Sequence, residues 1–253
     1  MTKDFSLLSD ALEIHRGQLV ALVGGGGKTG AMLTLSRELA DRGWRVLAST
    51  TTRVGQSVAT SMPVLTMMGD EPPEELARAM SESGHAFLSG GLGNDGKLLG
   101  VDPWILTTVR DRRIADVVLV EADGARQLPL KAPAEHEPLL PRGVDLVLPV
   151  AGLDALGRPI GPGHVHRPEL LRQLTDSDVV TPAVIADVLV SGAGGMKGVP
   201  EAVEVCPILN KIDTVPLETA LKVASAVLAA RPDRIRRVLM TNLRGKEYVL
   251  VTP

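Results

Sequence analysis

Gln18-Leu-Val-Ala-Leu-Val-Gly-Gly-Gly-Gly-Lys-Thr29 is the stretch on which the reading of this chain turns. Leu19 to Val23 is an apolar run of the kind that forms a buried strand, and four glycines follow it before Lys28 and Thr29. A helical pattern then extends from about Lys28 to Arg42. Strand, glycine loop and helix in this order make a phosphate-binding P-loop. Unpaired N–H groups at a helix start point outward, the helix dipole favours negative charge, and glycine lets the backbone curl around an anion. The amides of Gly24, Gly25, Gly26 and Gly27 are therefore expected to hold phosphate, with Lys28 on the terminal phosphates and the Thr29 hydroxyl on Mg2+. Two features depart from the common patterns. Leu22 stands where G-x-x-x-x-G-K-[ST] has its first glycine, and Val23 stands where deviant P-loops often carry a lysine. The plainer alternative is a glycine-rich turn beside a solvated lysine.

Working outward, Gly43 ends the helix, and Trp44 to Thr52 reads as a second strand entering the cluster Thr50, Thr51 and Thr52. Strand, helix, strand implies parallel strands, with the threonines at a carboxyl end, where open α/β sheets bind ligands. Val117 to Val120 is a β-branched run suited to a central parallel strand, and it ends in Glu121, Asp123 and Gly124. A carboxylate at such a strand end completes a P-loop Mg2+ site, so Glu121 or Asp123 is expected to join Thr29 there, and a nearby carboxylate can position the attacking group. Lys28, Glu121 and Asp123 are the candidate catalytic residues. Arg126 and Lys131 follow in a loop, placed either to reach phosphate or an acidic substrate, or to be solvated.

Near the far end of the chain, Asn210-Lys211-Ile212-Asp213 closes another apolar run. This is an N-K-x-D guanine-reading pattern. The aspartate accepts from the ring N–H and exocyclic amine, the asparagine supports the loop, and the lysine stem stacks on the base. GTP is accordingly favoured over ATP, and Thr241-Asn242, after a strand from Arg236, is positioned to wall a base pocket. Between these landmarks, His85 to Ser89 and Lys97 to Val101 flank a turn-forming segment and suggest an inserted hairpin near 85–101. Asp102 and Thr181 open helices, and Ser6 to His15 has the spacing of a short leading helix. Gly192 to Gly198 is a second glycine-rich loop, carrying Lys197, but it lacks a strand–helix setting. His164 and His166 have a spacing that could hold a metal if the segment formed a strand, but prolines lie nearby and no acidic partner is fixed by spacing.

Composition narrows the class. With 253 residues, 44% hydrophobic and 23% charged, the chain has material for a large core. Lys+Arg 27 against Asp+Glu 30 gives a charge of −3, which argues against general affinity for nucleic acid or anionic membranes. The 2% aromatic content removes the stacking platforms of single-strand binders. One cysteine, Cys206, excludes an internal disulfide and any cysteine-rich zinc site. No signal-peptide core and no apolar run near the roughly 20 residues of a membrane span is present, so a cytoplasmic protein is expected.

The assembled motifs resemble the YqeC-like family of selenium-dependent molybdenum hydroxylase accessory proteins. The resemblance rests on Leu22 to Thr29, Thr50 to Thr52, Val120 to Ala125, Leu130 to Pro133, His166 to Glu169, Gly194 to Pro200 and Leu209 to Asp213. Gly30 stands where similar proteins often have a threonine. The resemblance implies a role in maturing hydroxylases that carry a labile selenium cofactor, with the hydroxylase and selenophosphate synthetase as partners. Because Cys206 lies within an expected buried strand, the protein is expected to supply nucleotide-driven energy or a switch, not the selenium-bearing sulfur. The expectation is one α/β, P-loop NTPase-like domain over 1–253, its mostly parallel sheet flanked by helices, binding Mg2+ and GTP or ATP. A small-molecule kinase and a nucleotide-sensing scaffold with little turnover remain as alternatives.

Overall fold

The P-loop strand, Leu19–Gly24, is buried on both faces, and this governs everything packed around it. In the computed structural model, Leu19, Ala21 and Val23 enter one hydrophobic core while Val20 and Leu22 enter the other. Successive residues of a strand point to opposite faces, so an unbroken apolar run requires a cover on each side. One cover is the helix Lys28–Asp41, through Met32, Leu35 and Leu39. The other is built from Pro103–Asp111, Pro182–Val190 and Leu217–Ala230, which bring Ile105, Val109, Val184, Leu189, Val223 and Val227 to the opposite face. The description covers residues 1–253, except the side chains of residues 57 and 59.

Eleven strands form the sheet. From one edge to the other they run Thr2–Phe5, Glu247–Val251, Val238–Asn242, Ile208–Asn210, Leu146–Gly152, Leu19–Gly24, Val117–Glu121, Val46–Thr50, His85–Ser89 and Val64–Thr66, with Glu204–Val205 also pairing to Leu146–Gly152. Only the pairings of Glu247–Val251 are antiparallel; the others are parallel. The architecture is α/β and P-loop NTPase-like, a mostly parallel sheet flanked by helices. The strands 19–24 and 46–50 are parallel, as expected, yet Val117–Glu121 lies between them. That insertion puts Glu121 opposite Leu22 on one side and Thr50 on the other.

Local chemistry explains most element boundaries. Asp102 caps its helix by accepting from the Trp104 N–H at 3.2 Å, with Pro103 in the first turn, and Thr181 caps the next by accepting from Val184 at 3.2 Å. The leading helix is shorter than expected, Leu8–Ala11, and the chain leaves it at Glu13 with φ of 55°. Residues 85–89, the first arm of the hairpin expected near 85–101, form a parallel strand of the main sheet. The returning segment folds back on 90–93 through Gly90 N–H to Leu99 O (2.9 Å), Leu99 N–H to Gly91 O (2.9 Å) and Gly93 N–H to Lys97 O (2.8 Å). Strand ends of one direction gather Gly24–Thr29, Thr50–Thr52, Glu121–Asp123, Gly152–Asp154 and Asn210–Asp213 along one edge of the sheet.

Candidate functional site

At this edge the Thr29 hydroxyl donates to Glu121 Oε2 at 2.7 Å, joining the start of the helix to the end of the neighbouring strand. Lys28 lies between the two acids, 3.5 Å from Glu121 Oε1 and 3.1 Å from Asp123 Oδ1, and also donates to the Gly24 carbonyl. All three charged groups are buried. Burial acts against the Lys28 ammonium, but the Asp123 and Glu121 carboxylates outweigh it and raise its pKa above the ordinary lysine value.

The two acids, equivalent in sequence, have different surroundings. Glu121 faces the Thr29 hydroxyl. Asp123 accepts from the Gly24 N–H at 2.9 and 3.2 Å and is paired with two lysines, Lys28 and, at 2.9 Å, Lys131. Lys131 continues to Glu137 at 2.8 Å, and Arg167 reaches the same Glu137 oxygen at 2.6 Å. A chain of alternating charges thus leads from the P-loop to Arg167. It is assembled by the two-residue pairing of Leu130–Lys131 with Val165–His166. For Glu137, burial works against ionisation, but the hydrogen bond and charge of Lys131, the Ala134 N–H and Arg167 prevail and hold the carboxyl at about 2. For Lys131, burial prevails and lowers the pKa from the usual lysine value. Burial, then the Arg167, Lys131 and Arg126 charges, push His166 down to about 4.

The glycine loop is packed against its neighbours. Gly24 donates to Asp123, Gly25 to the Val150 carbonyl at 2.9 Å, and Gly26 to the Leu128 carbonyl at 2.9 Å. Three of the four glycine amides expected to hold phosphate therefore have protein acceptors, supplied by Asp123, by the strand Leu146–Gly152 and by the segment Leu128–Leu130 that lies on the loop. The donors left by helix geometry are those of the first turn, from Lys28 onward, where no preceding carbonyl is in register. Gly26 has φ of +79°, and a Cβ there would meet the Gly152 nitrogen at 2.1 Å; a Cβ on Gly27, with φ of +148°, would meet the Asn210 side chain at 2.3 Å. These contacts demand glycine.

Asn210 joins the end of the strand Ile208–Asn210 to the P-loop. Its Nδ2 donates to the Gly26 carbonyl at 2.8 Å, and its Oδ1 accepts from the Thr241 hydroxyl at 3.0 Å and the Leu243 N–H at 3.4 Å. Lys211, at φ of 63°, pairs with Asp154 at 2.6 Å, and Asp213 is exposed on the single turn Ile212–Thr214. Within the threonine cluster Thr50 has a structural part: its hydroxyl donates to the Glu121 carbonyl at 2.9 Å and its oxygen accepts from the Thr52 N–H at 3.1 Å, while the buried Thr51 hydroxyl has no hydrogen-bond partner among the described residues. Lys197 ties the second glycine loop to the carbonyls of Ala134 and Glu135 at 2.6 and 2.8 Å. Among the described residues, no group of three or more His, Cys, Asp and Glu side chains is arranged to hold a metal ion, and no helix is long and apolar enough to cross a membrane.

Glu137 and Asp154 carried no signal in the linear sequence. Glu137 sits in a proline-rich loop and Asp154 in a turn, and neither has motif spacing to the residue it pairs with. Lys131 was visible as a candidate, but its burial between two acids was not.

A strand–glycine loop–helix with lysine and threonine at the helix start, and a carboxylate from the adjacent strand end, defines a P-loop NTPase-like protein. The chain belongs to the YqeC family: the family described as YqeC protein matches residues 20–169, which contain the glycine loop, Glu121, Asp123, Lys131 and Arg167. A curated relative, the uncharacterized protein YqeC of Escherichia coli strain K12, is 34% identical over 164 residues, 64% of this chain and 62% of the relative. Among solved structures, the chain is similar to chloroplast FtsY from Physcomitrella patens, with TM-score 0.44, 16% identity, and 89% and 59% of the two chains covered. It is also similar to FtsY from Mycoplasma mycoides, with TM-score 0.41, 13% identity, and 93% and 64% covered. A GTPase in apo form from Pyrococcus abyssi has TM-score 0.37 and 15% identity, with 91% and 92% covered. The chain spans less than two thirds of the curated relative and of both FtsY chains.

Proposed function

We propose that this protein binds a purine nucleoside triphosphate with Mg2+ and hydrolyses it, with GTP favoured over ATP. The observation that carries the reading is the 2.7 Å hydrogen bond from Thr29 to Glu121, beside the buried ammonium of Lys28. One hydroxyl and one carboxylate suit Mg2+, which keeps several waters and takes its remaining ligands from phosphate. When bound, the ion would neutralise charge on the terminal phosphates; Thr29 and Glu121 would hold it. Lys28 and the first-turn amides bind phosphate oxygens. Asp123 orients Lys28 and anchors Gly24. With the Asn210 side chain engaged by Gly26, Thr241 and Leu243, its role is to brace the base pocket against the P-loop. Recognition of the base edge falls to Asp213, and Lys211 flanks it.

The cellular role follows the family resemblance: an accessory function in selenium cofactor maturation of molybdenum hydroxylases. Cys206 is buried and its thiol, through burial first, is pushed up to about 12, which supports a part in energising or switching that process and not in carrying selenium on sulfur.

Titration with GTP, ATP and GDP, each with and without Mg2+, tests the proposal. Mg2+-dependent binding with GTP preferred, and loss of that preference in Asp213→Asn, are expected. Equal GTP and ATP affinities would overturn the guanine assignment, and no binding of either would overturn the whole. Product analysis with γ-labelled nucleotide then separates hydrolysis, which releases inorganic phosphate, from transfer to a small molecule. Negligible turnover despite tight binding would identify a nucleotide-sensing scaffold instead.

A further inference from the structure

We infer that Lys131 is a second phosphate-binding lysine, supplied by the same chain to the outermost phosphate of the nucleotide bound at the P-loop. The inference rests on the nucleotide reading above. Asp123 holds Lys28 on one oxygen, at 3.1 Å, and Lys131 on the other, at 2.9 Å. The two ammonium groups therefore stand on either side of a single carboxylate. The segment that leads into Lys131 packs on the loop: a Cβ on Gly25 would lie 2.8 Å from the Leu128 carbonyl and 3.2 Å from the Leu130 nitrogen and carbonyl carbon. A small recess touches Gly24, Asp123 and Lys131 together, walled by Pro149, Val188 and Gly195.

Position along the site assigns the phosphate. Asn210 marks the base end, through its bond to the Gly26 carbonyl. Glu121, Thr29 and Asp123 mark the other end, toward the strand 117–121. Lys131 belongs to that second end, so it meets the terminal phosphate and not the base or the inner phosphate. Glu137 and Arg167 set its position from behind: Glu137 takes the ammonium at 2.8 Å and is itself held by Arg167 at 2.6 Å. Glu137 is on this account a positioning residue. A bulky triphosphate draws both lysines toward its own oxygens, and Asp123 remains bonded to the Gly24 N–H.

Val23 itself is buried in the hydrophobic core. Where a deviant P-loop carries a lysine in the loop itself, this chain brings its second cation from a segment that folds over the loop.

The test compares triphosphate and diphosphate affinities, with GTP, GDP, ATP and ADP as probes in the presence of Mg2+. Lys131→Met should weaken triphosphate binding about tenfold to a hundredfold, the loss of one charge-assisted hydrogen bond, while diphosphate affinity stays within about twofold. Lys131→Arg should restore most of the triphosphate preference. A merely structural lysine would lower both affinities together, so an unchanged triphosphate-to-diphosphate ratio in Lys131→Met overturns the inference. Because Lys131→Met takes one of two cations from each of two buried carboxylates, the double variant Lys131→Met with Glu137→Gln is measured beside it, and a preserved ratio there also overturns the assignment. Failure of the wild-type protein to bind any of the four nucleotides would instead remove the nucleotide reading on which the inference stands.

Discussion

Asn210 donates its side-chain amide to the carbonyl of Gly26 at 2.8 Å, linking positions 184 residues apart. The same side chain accepts from Thr241 and Leu243, so one buried asparagine ties three strand ends together. Truncation leaves a carbonyl, a hydroxyl and an N–H to find new partners. Asn210→Ala should therefore destabilise the protein by about 2–4 kcal/mol, measured by urea denaturation with an unchanged slope. Nucleotide affinity should fall with it, because the glycine loop loses its brace.

Thr29→Val keeps the shape of the side chain and removes only the hydroxyl that Glu121 accepts from. If this oxygen is a Mg2+ ligand, the variant should lose roughly tenfold in nucleotide affinity with Mg2+ and little in its absence. Equal losses in both conditions would assign Thr29 to helix stability alone.

Acid should destabilise the fold through two groups. Glu137 has a carboxyl held at about 2, against an ordinary value of 4.5, so below 4.5 the unfolded chain takes up a proton that the folded chain refuses. Its contribution is present above pH 4.5 and is lost as the pH falls toward 2. His166, at about 4 against 6.5, likewise binds its proton less readily when folded, so its share is lost as the pH falls from 6.5 toward 4. The Tm should thus decline on acidification from pH 7. Glu137→Gln should flatten the lower part of that decline and His166→Asn the upper part.

Two glycines within one loop and helix should respond in opposite senses to alanine. Gly26→Ala places a methyl group 2.1 Å from the Gly152 nitrogen in a left-handed backbone, and should cost about 3 kcal/mol or more. Gly30 lies in the helix Lys28–Asp41, and a Cβ there meets only the Leu243 Cδ1, at an ordinary 3.5 Å. Gly30→Ala should stabilise the protein by about 0.5–1 kcal/mol in thermal or urea unfolding.

Cys206 is buried with a thiol pushed up to about 12. A thiol reagent at pH 7 should label it only on the timescale of unfolding, and Cys206→Ala should retain nucleotide binding. Rapid labelling of the native protein, or transfer of selenium through this sulfur in a purified system, would contradict the role assigned here.

Much of the fold was legible because burial on two faces leaves a plain trace. Leu19 to Val23 and Val117 to Val120 are unbroken apolar runs, and Asp102 and Thr181 mark helix starts by capping. Legibility failed where short local pattern met long-range pairing. Nothing in Thr2 to Phe5 indicates that it pairs with Val251 to Tyr248 at the other end of the chain, and the apolar run at 85–89 carries no sign that it joins the main sheet.

The site divides in the same way. By itself the sequence determined that phosphate chemistry was to be expected at Gly24 to Thr29, that acids would close the strand at 121 and 123, and that Asn210 to Asp213 would stand at a strand end. These conclusions depend on residues adjacent along the chain, where spacing and local backbone geometry suffice. The tertiary structure alone decided that Glu121 faces the Thr29 hydroxyl while Asp123 serves two lysines, that Leu128–Leu130 covers the glycine loop, and that Lys131 is buried between carboxylates. The physical reason is that charge pairing and amide satisfaction are set by distances across the fold, and spacing along the chain does not encode which of two nearby acids the Thr29 hydroxyl, more than ninety residues away, will meet.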